Sequence, residues 1–97
     1  MKMSAITKSA KGETCSVYAP GVTQHDPDTV VFAHLNGIGM GMKDSDLFGC
    51  YACAKCHAWL DYGYVLQNIP KSHRNAIHYE AIIRTQRKLL EKGLIKI

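Results

Sequence analysis

The sequence predicts an α+β domain that a bound metal helps to hold together. Three observations carry that reading: two strand-like runs between Thr14 and Leu35, the segment Cys53-Ala54-Lys55-Cys56-His57, and a long amphipathic pattern after Pro70. At 97 residues the chain makes one domain spanning 1–97, near the size at which an apolar core alone is marginal and a metal is a common supplement. It shows no internal repeat, low-complexity tract or interdomain linker.

Taken in order, Met3 to Ala10 reads as a short helix ended by Gly12. Thr14 to Ala19 reads as a strand, Pro20-Gly21 and His25-Asp26-Pro27-Asp28 as turns, and Thr29 to Leu35 as a second strand, together a hairpin with a long connection. Asn36 to Ser45 carries Gly37, Gly39 and Gly41 and reads as a loop; the spacing matches neither a dinucleotide fingerprint nor a phosphate-binding P-loop. Cys53 to Asp61 reads as a short helix closed by Tyr62-Gly63. Ser72 then offers an N-cap for a long helix with Ala76, Tyr79, Ile83 and Leu90 on one face and Gly93 closing it.

Cys53 and Cys56, three apart, can share one tetrahedral metal, and His57 directly after them can reach a second centre. The same five letters also attach c-type haem, which needs export and often a downstream Met ligand. Met1 to Gly12 lacks the apolar stretch of a signal peptide, and Met1, Met3, Met40 and Met42 all precede Cys53, so haem is disfavoured. Four cysteines without such a signal point to a reducing compartment, where metal ligation or catalysis outweighs a disulfide framework. No apolar run reaches membrane-span length, so the expectation is a soluble, cytoplasmic protein with no membrane partner. From Lys71 to Ile97 seven Lys or Arg face Glu80 and Glu91, a net of +5 in a chain of +4, which leaves the first seventy residues at about −1. That basic element suits a polyanion such as nucleic acid, and equally a solvated helix face.

On this order of elements His34, ending the second strand, and His57, on the helix behind it, converge across a hairpin-helix groove. The arrangement resembles the HNH, or ββα-metal, nucleases, in which a strand-ending His, a polar residue after a loop and a Cys-x-x-Cys-His helix recur; here these are His34, Asp46 and His57. Lys11-Gly12-Glu13-Thr14-Cys15, Pro20-Gly21-Val22, Ala33-His34-Leu35, Lys43, Asp46-Leu47, Ala52 to His57 and Arg84-Thr85-Gln86 are together similar to small phage- and prophage-encoded proteins assigned as HNH nucleases, over nearly the whole chain. The resemblance implies an endonuclease hydrolysing phosphodiester bonds of DNA in a bacterial host cell. His34 would be the base that deprotonates water, and His57 with Asp46 would bind one divalent cation (Mg, Mn, Ni or Zn). Lys43, Arg84, Arg87 and Lys88 would contact phosphate. Relatives often carry a second cysteine after the Pro-Gly-Val turn, completing a four-thiolate zinc site; this chain has Thr23 there, a poor ligand. Cys50 is the candidate substitute, giving a structural zinc on Cys15, Cys50, Cys53 and Cys56. Otherwise packing of Tyr51 and Trp59 replaces the zinc, or the thiols hold an iron-sulfur cluster.

Each assignment has a plainer alternative. His34 can be a core-edge residue bonded to backbone, His57 can pair with Asp61, and Asp46 can be a turn or N-cap residue. His25 reads as exposed, His73 and His78 as surface residues, and Trp59 and Phe48 as core. The competing function is a non-catalytic phage accessory protein that uses the same scaffold to bind nucleic acid or a host protein.

Overall fold

The computed structural model describes residues 4–35 and 45–96. A short helix α1 (Ala5–Lys8) leads into an irregular extended segment and a 3-10 turn (Pro27–Thr29), then strand β1 (Val31–His34). After a second 3-10 turn (Asp46–Phe48) come strand β2 (Gly49–Ala52), helix α2 (Ala54–Ala58), a π-helical turn (Trp59–Gly63), helix α3 (Tyr64–Leu66) and the long helix α4 (Lys71–Glu91). The α+β class with a long C-terminal helix is therefore observed. Lys43 and the glycine-rich stretch 36–44 lie outside the described residues.

The hairpin differs from the one the pattern suggests. β1 pairs antiparallel with β2, Val31 opposite Ala52 and His34 opposite Gly49. Gly49 is required there, because a Cβ would run into the Phe32 ring. Thr14 to Ala19 forms no strand. Its Cys15, Ser16, Val17 and Ala19 are buried on both sides of the chain, and Tyr18 turns into the left-handed region at φ 49, which breaks an extended ladder. One ladder-like bond remains, from Ser16 N–H to the Tyr51 carbonyl at 2.8 Å. On the same residue the Tyr51 N–H donates to Thr85 Oγ1 at 3.1 Å, so a helix hydroxyl and an irregular segment satisfy the outer edge of β2.

That contact explains why α4 buries a face other than the apolar stripe. Tyr79, Ile83 and Leu90 are 50%, 52% and 39% exposed, while His78, Ala81, Ile82, Thr85 and Leu89 face the core. Ala81 and Thr85 are small enough to let the helix approach the fully buried β2, and Thr85 Oγ1 donates onward to the Ala81 carbonyl at 2.9 Å. A stripe of Tyr and Ile would hold the helix off the strand. Pro70, not Ser72, occupies the N-cap, and Gly93 closes the helix at φ 72.

The Cys53 helix also runs past its expected stop. Gly63 keeps right-handed helical dihedrals and serves close packing: its Cβ would lie 3.2 Å from Trp59 Cδ1. The helical path ends only near Asn68, at φ 58. Trp59 is core as expected, whereas Phe48 is 45% exposed.

Candidate active site and metal centre

α2 starts where β2 leaves Cys53 as its N-cap, the Cys53 sulfur accepting the Cys56 N–H at 3.5 Å. One helical turn therefore sets both sulfurs on one side. The buried extended segment brings Cys15 to them, and the loop after Gly21 brings His25. Ligand atoms of Cys15, His25, Cys53 and Cys56 all lie within 4.8 Å of one another. His25 Nδ1 is 3.5 Å from both Cys53 Sγ and Cys56 Sγ. Zinc–sulfur and zinc–nitrogen bonds of about 2.3 and 2.0 Å in a tetrahedron give S···N edges of about 3.6 Å, so these residues fit a closed structural zinc site. The Ala19 N–H bonds to Cys56 Sγ at 3.4 Å and supplies outer-sphere support. The closeness of the Cys56 thiol lowers the Cys15 pKa despite burial and raises that of Cys56.

Cys50, the candidate substitute for the missing cysteine, lies outside this group, and His25 completes it. Cys50 sits inside β2 opposite Ala33, wholly buried, and burial pushes its thiol up to about 12. Its sulfur is not among the ligand atoms that lie within 4.8 Å of one another. The signal for His25 in the sequence is its place two residues beyond Thr23, where a fourth donor is sought.

On the other side of α2 a cleft of about 660 Å³ is lined by His34, His57, Asp61, Lys71, Arg74 and His78 among others. His34 and His57 do share one cavity. Asp46 takes a different place from the one expected of a cation ligand. Its Oδ1 is 2.7 Å from His34 Nε2 and its Oδ2 accepts from Ser4 Oγ at 2.6 Å, so both oxygens are engaged. The His34 contact first, and Ser4 next, hold the Asp46 carboxyl below the usual range. A carboxylate can only accept, so Nε2 carries a proton, and in the neutral imidazole the lone pair is on Nδ1. The carboxylate nearest His57 is instead Asp61, one turn on, at 3.8 Å.

His78, read from sequence as a surface residue, is 4% exposed and lines this cleft. Its Nε2–H points to the Ala33 carbonyl at 3.5 Å, its Nδ1 has no partner, and burial pushes its pKa down. His73 is exposed, as expected. Two of the basic residues expected on phosphate are engaged by the protein itself. Arg84 donates to the Ser16 carbonyl at 2.8 Å and pairs with Glu80, and Lys88 bonds to Thr14 Oγ1 at 2.8 Å and approaches Glu13. Both clamp the N-terminal segment onto α4. Arg87 is exposed on the same helix. None of these three lines the cleft, whereas Lys71 and Arg74, not selected from sequence, do.

Among the described residues no helix is long and apolar enough to cross a membrane. The profile of the family described as "Putative nuclease YbcO" matches residues 4–94. Two relatives with that description, from Escherichia coli (strain K12) and Enterobacteria phage 82, are each 35% identical over 97 residues, covering 97% of this chain and 99% of the relative. A solved structure of a "putative bacteriophage protein" from Escherichia coli K-12 superposes with a TM-score of 0.73 at 31% identity, covering 91% of this chain and 99% of the other. The phage and prophage resemblance drawn from the motifs is thus matched over the full length, and the chain belongs to the YbcO family.

Proposed function

We propose that the chain is a metal-dependent endonuclease that hydrolyses phosphodiester bonds of DNA in an HNH-like, ββα-metal site. The observation that carries this reading is one cleft lined by both His34 and His57, with His34 held by Asp46 in the tautomer that leaves a basic nitrogen. The description "Putative nuclease" carried by its relatives points the same way. His34 Nδ1 takes a proton from the attacking water, and the Asp46 carboxylate steadies the resulting imidazolium. His57 and Asp61, 3.8 Å apart and both solvent-accessible, fit an open nitrogen-and-oxygen site for one divalent cation. Such a cation, when bound, stabilises charge on the phosphoryl and leaving oxygens. Asp46 acts through His34 as a positioning residue. The Cys15, His25, Cys53 and Cys56 cluster carries a structural zinc that orients α2, and with it His57.

The test is plasmid nicking by the zinc-loaded protein with Mg²⁺, Mn²⁺, Ni²⁺ or Zn²⁺ added. His34→Ala should keep cation and DNA affinity but lose roughly two to four orders of magnitude in rate, the usual contribution of a positioned general base. His57→Ala should lose added-cation binding and cleavage together. The second reading, a non-catalytic module that docks a host protein, draws on the exposed Tyr79, Ile83 and Leu90 of α4. DNA binding without nicking in any of the four metals would favour it.

A further inference from the structure

We propose that Arg74 grips the phosphodiester in the cleft, with its guanidinium preset by Tyr64. The proposal rests on the nuclease reading for the identity of the anion. Arg74 lies in the opening turns of α4 and lines the same cavity as His34 and His57. Among the described residues it takes part in none of the ion pairs, unlike Arg84, Lys88 and Lys92. Its Nε is buried without a hydrogen-bond partner, and its guanidinium carbon sits 5.0 Å from the centroid of the Tyr64 ring. Stacking on an aromatic face fixes the plane of the fork, so less freedom is lost when it binds two oxygens of one anion.

The surroundings favour an anion over a cation at this wall. Lys71, the first residue of α4, lines the cleft too, and the first turn of this 21-residue helix has no acidic residue. Unpaired backbone N–H groups and the positive end of the helix dipole add to that field. Among the described residues Asp61 is the one acidic residue lining the cleft, and it is placed beside His57. One turn beyond Arg74, the 4% exposed His78 presents Nδ1 with no donor. Arg74 and Lys71, two cations on one wall of the cleft, suit the oxygens of one phosphodiester.

The experiment measures binding of a fluorescent DNA duplex by zinc-loaded protein in a His34→Ala background, so that affinity is read without cleavage. Arg74→Gln should weaken binding about tenfold and lower the slope of log affinity against log salt by about one, the signature of a lost phosphate contact. Arg87→Gln, outside the cleft, should change affinity less. In the otherwise native chain Arg74→Lys should retain most of the salt slope yet cleave more slowly, because a point charge replaces the fork. Tyr64→Leu should move the same way and less. If Arg74→Gln does not fold, Arg74→Lys decides: a retained slope with slower cleavage supports the grip, and wild-type cleavage overturns it. Unchanged affinity and slope in folded Arg74→Gln overturn it as well, even if the native chain cuts DNA. A native chain that never nicks, with the Arg74 losses still present, keeps the phosphate grip and removes only the nuclease reading.

Discussion

Cys56 and His57 are neighbours in sequence and belong to opposite kinds of site. The three thiols of the cluster are 2%, 1% and 0% exposed, and one imidazole joins them with backbone support behind. The His57 side chain is 44% exposed and opens onto the cleft shared with His34. A closed donor set has no room for exchange and suits structure; an open one keeps positions for water and substrate. α2 is the shared part, with Cys53 as its N-cap and Cys56 and His57 in its first turns. Damage to the cluster should therefore reach the cleft, while damage to the cleft should leave the cluster intact.

The largest effect tests that asymmetry. Cys56→Ser should lose zinc and lower stability by several kcal/mol, because in a structural site the binding free energy is folding free energy. Cys50→Ser should keep full zinc content, measured by elemental analysis of purified protein. Zinc lost from Cys50→Ser and kept in His25→Ala would restore the four-cysteine site and break the comparison.

A smaller effect should come from the cleft alone. Asp46→Asn keeps the shape of the side chain but can offer His34 an N–H, which favours the wrong tautomer. Cleavage should fall about 10- to 100-fold, in the range typical of groups that orient a functional residue, with zinc content and DNA affinity unchanged. Equal losses of zinc and rate would show that the two sites are one unit.

What could be read from sequence follows from how local each feature is. The Cys-x-x-Cys-His turn, the strand-ending His34 and the long C-terminal helix depend on neighbours in the chain, and all three are legible. The partner of β1 was not, since Thr14 to Ala19 has strand-like letters but is drawn to the cysteine-histidine cluster by Cys15. Periodicity placed Ala76, Tyr79, Ile83 and Leu90 on one face and could not say which face is buried. That choice rests on Thr85, whose hydroxyl meets the Tyr51 N–H from far along the chain. The same rotation of α4 carries His78 and Arg74 into the cleft and turns Arg84 and Lys88 toward the N-terminal segment. Charge counting finds the basic helix and does not tell engaged cations from free ones.

The smallest effect concerns His78, and it places one source of acid sensitivity in the cleft. Burial is the main cause that lowers its pKa; Arg74 and His57 add to the lowering, and the Ala33 carbonyl and Asp61 oppose it. A histidine whose folded pKa lies below its unfolded value near 6.5 is neutral in the fold, so its penalty is absent above that value. As pH falls below about 6.5 the unfolded chain takes up the proton first, and stability should decline until the folded pKa is passed. His78→Asn removes this titration while keeping a polar side chain. Thermal melts of zinc-loaded protein between about pH 8 and 5 should therefore show native and His78→Asn curves that converge as the pH is lowered through this range. Parallel curves would mean that His78 is solvated, so that the wall carrying Arg74 is already wet and its unpaired nitrogen has water for a partner.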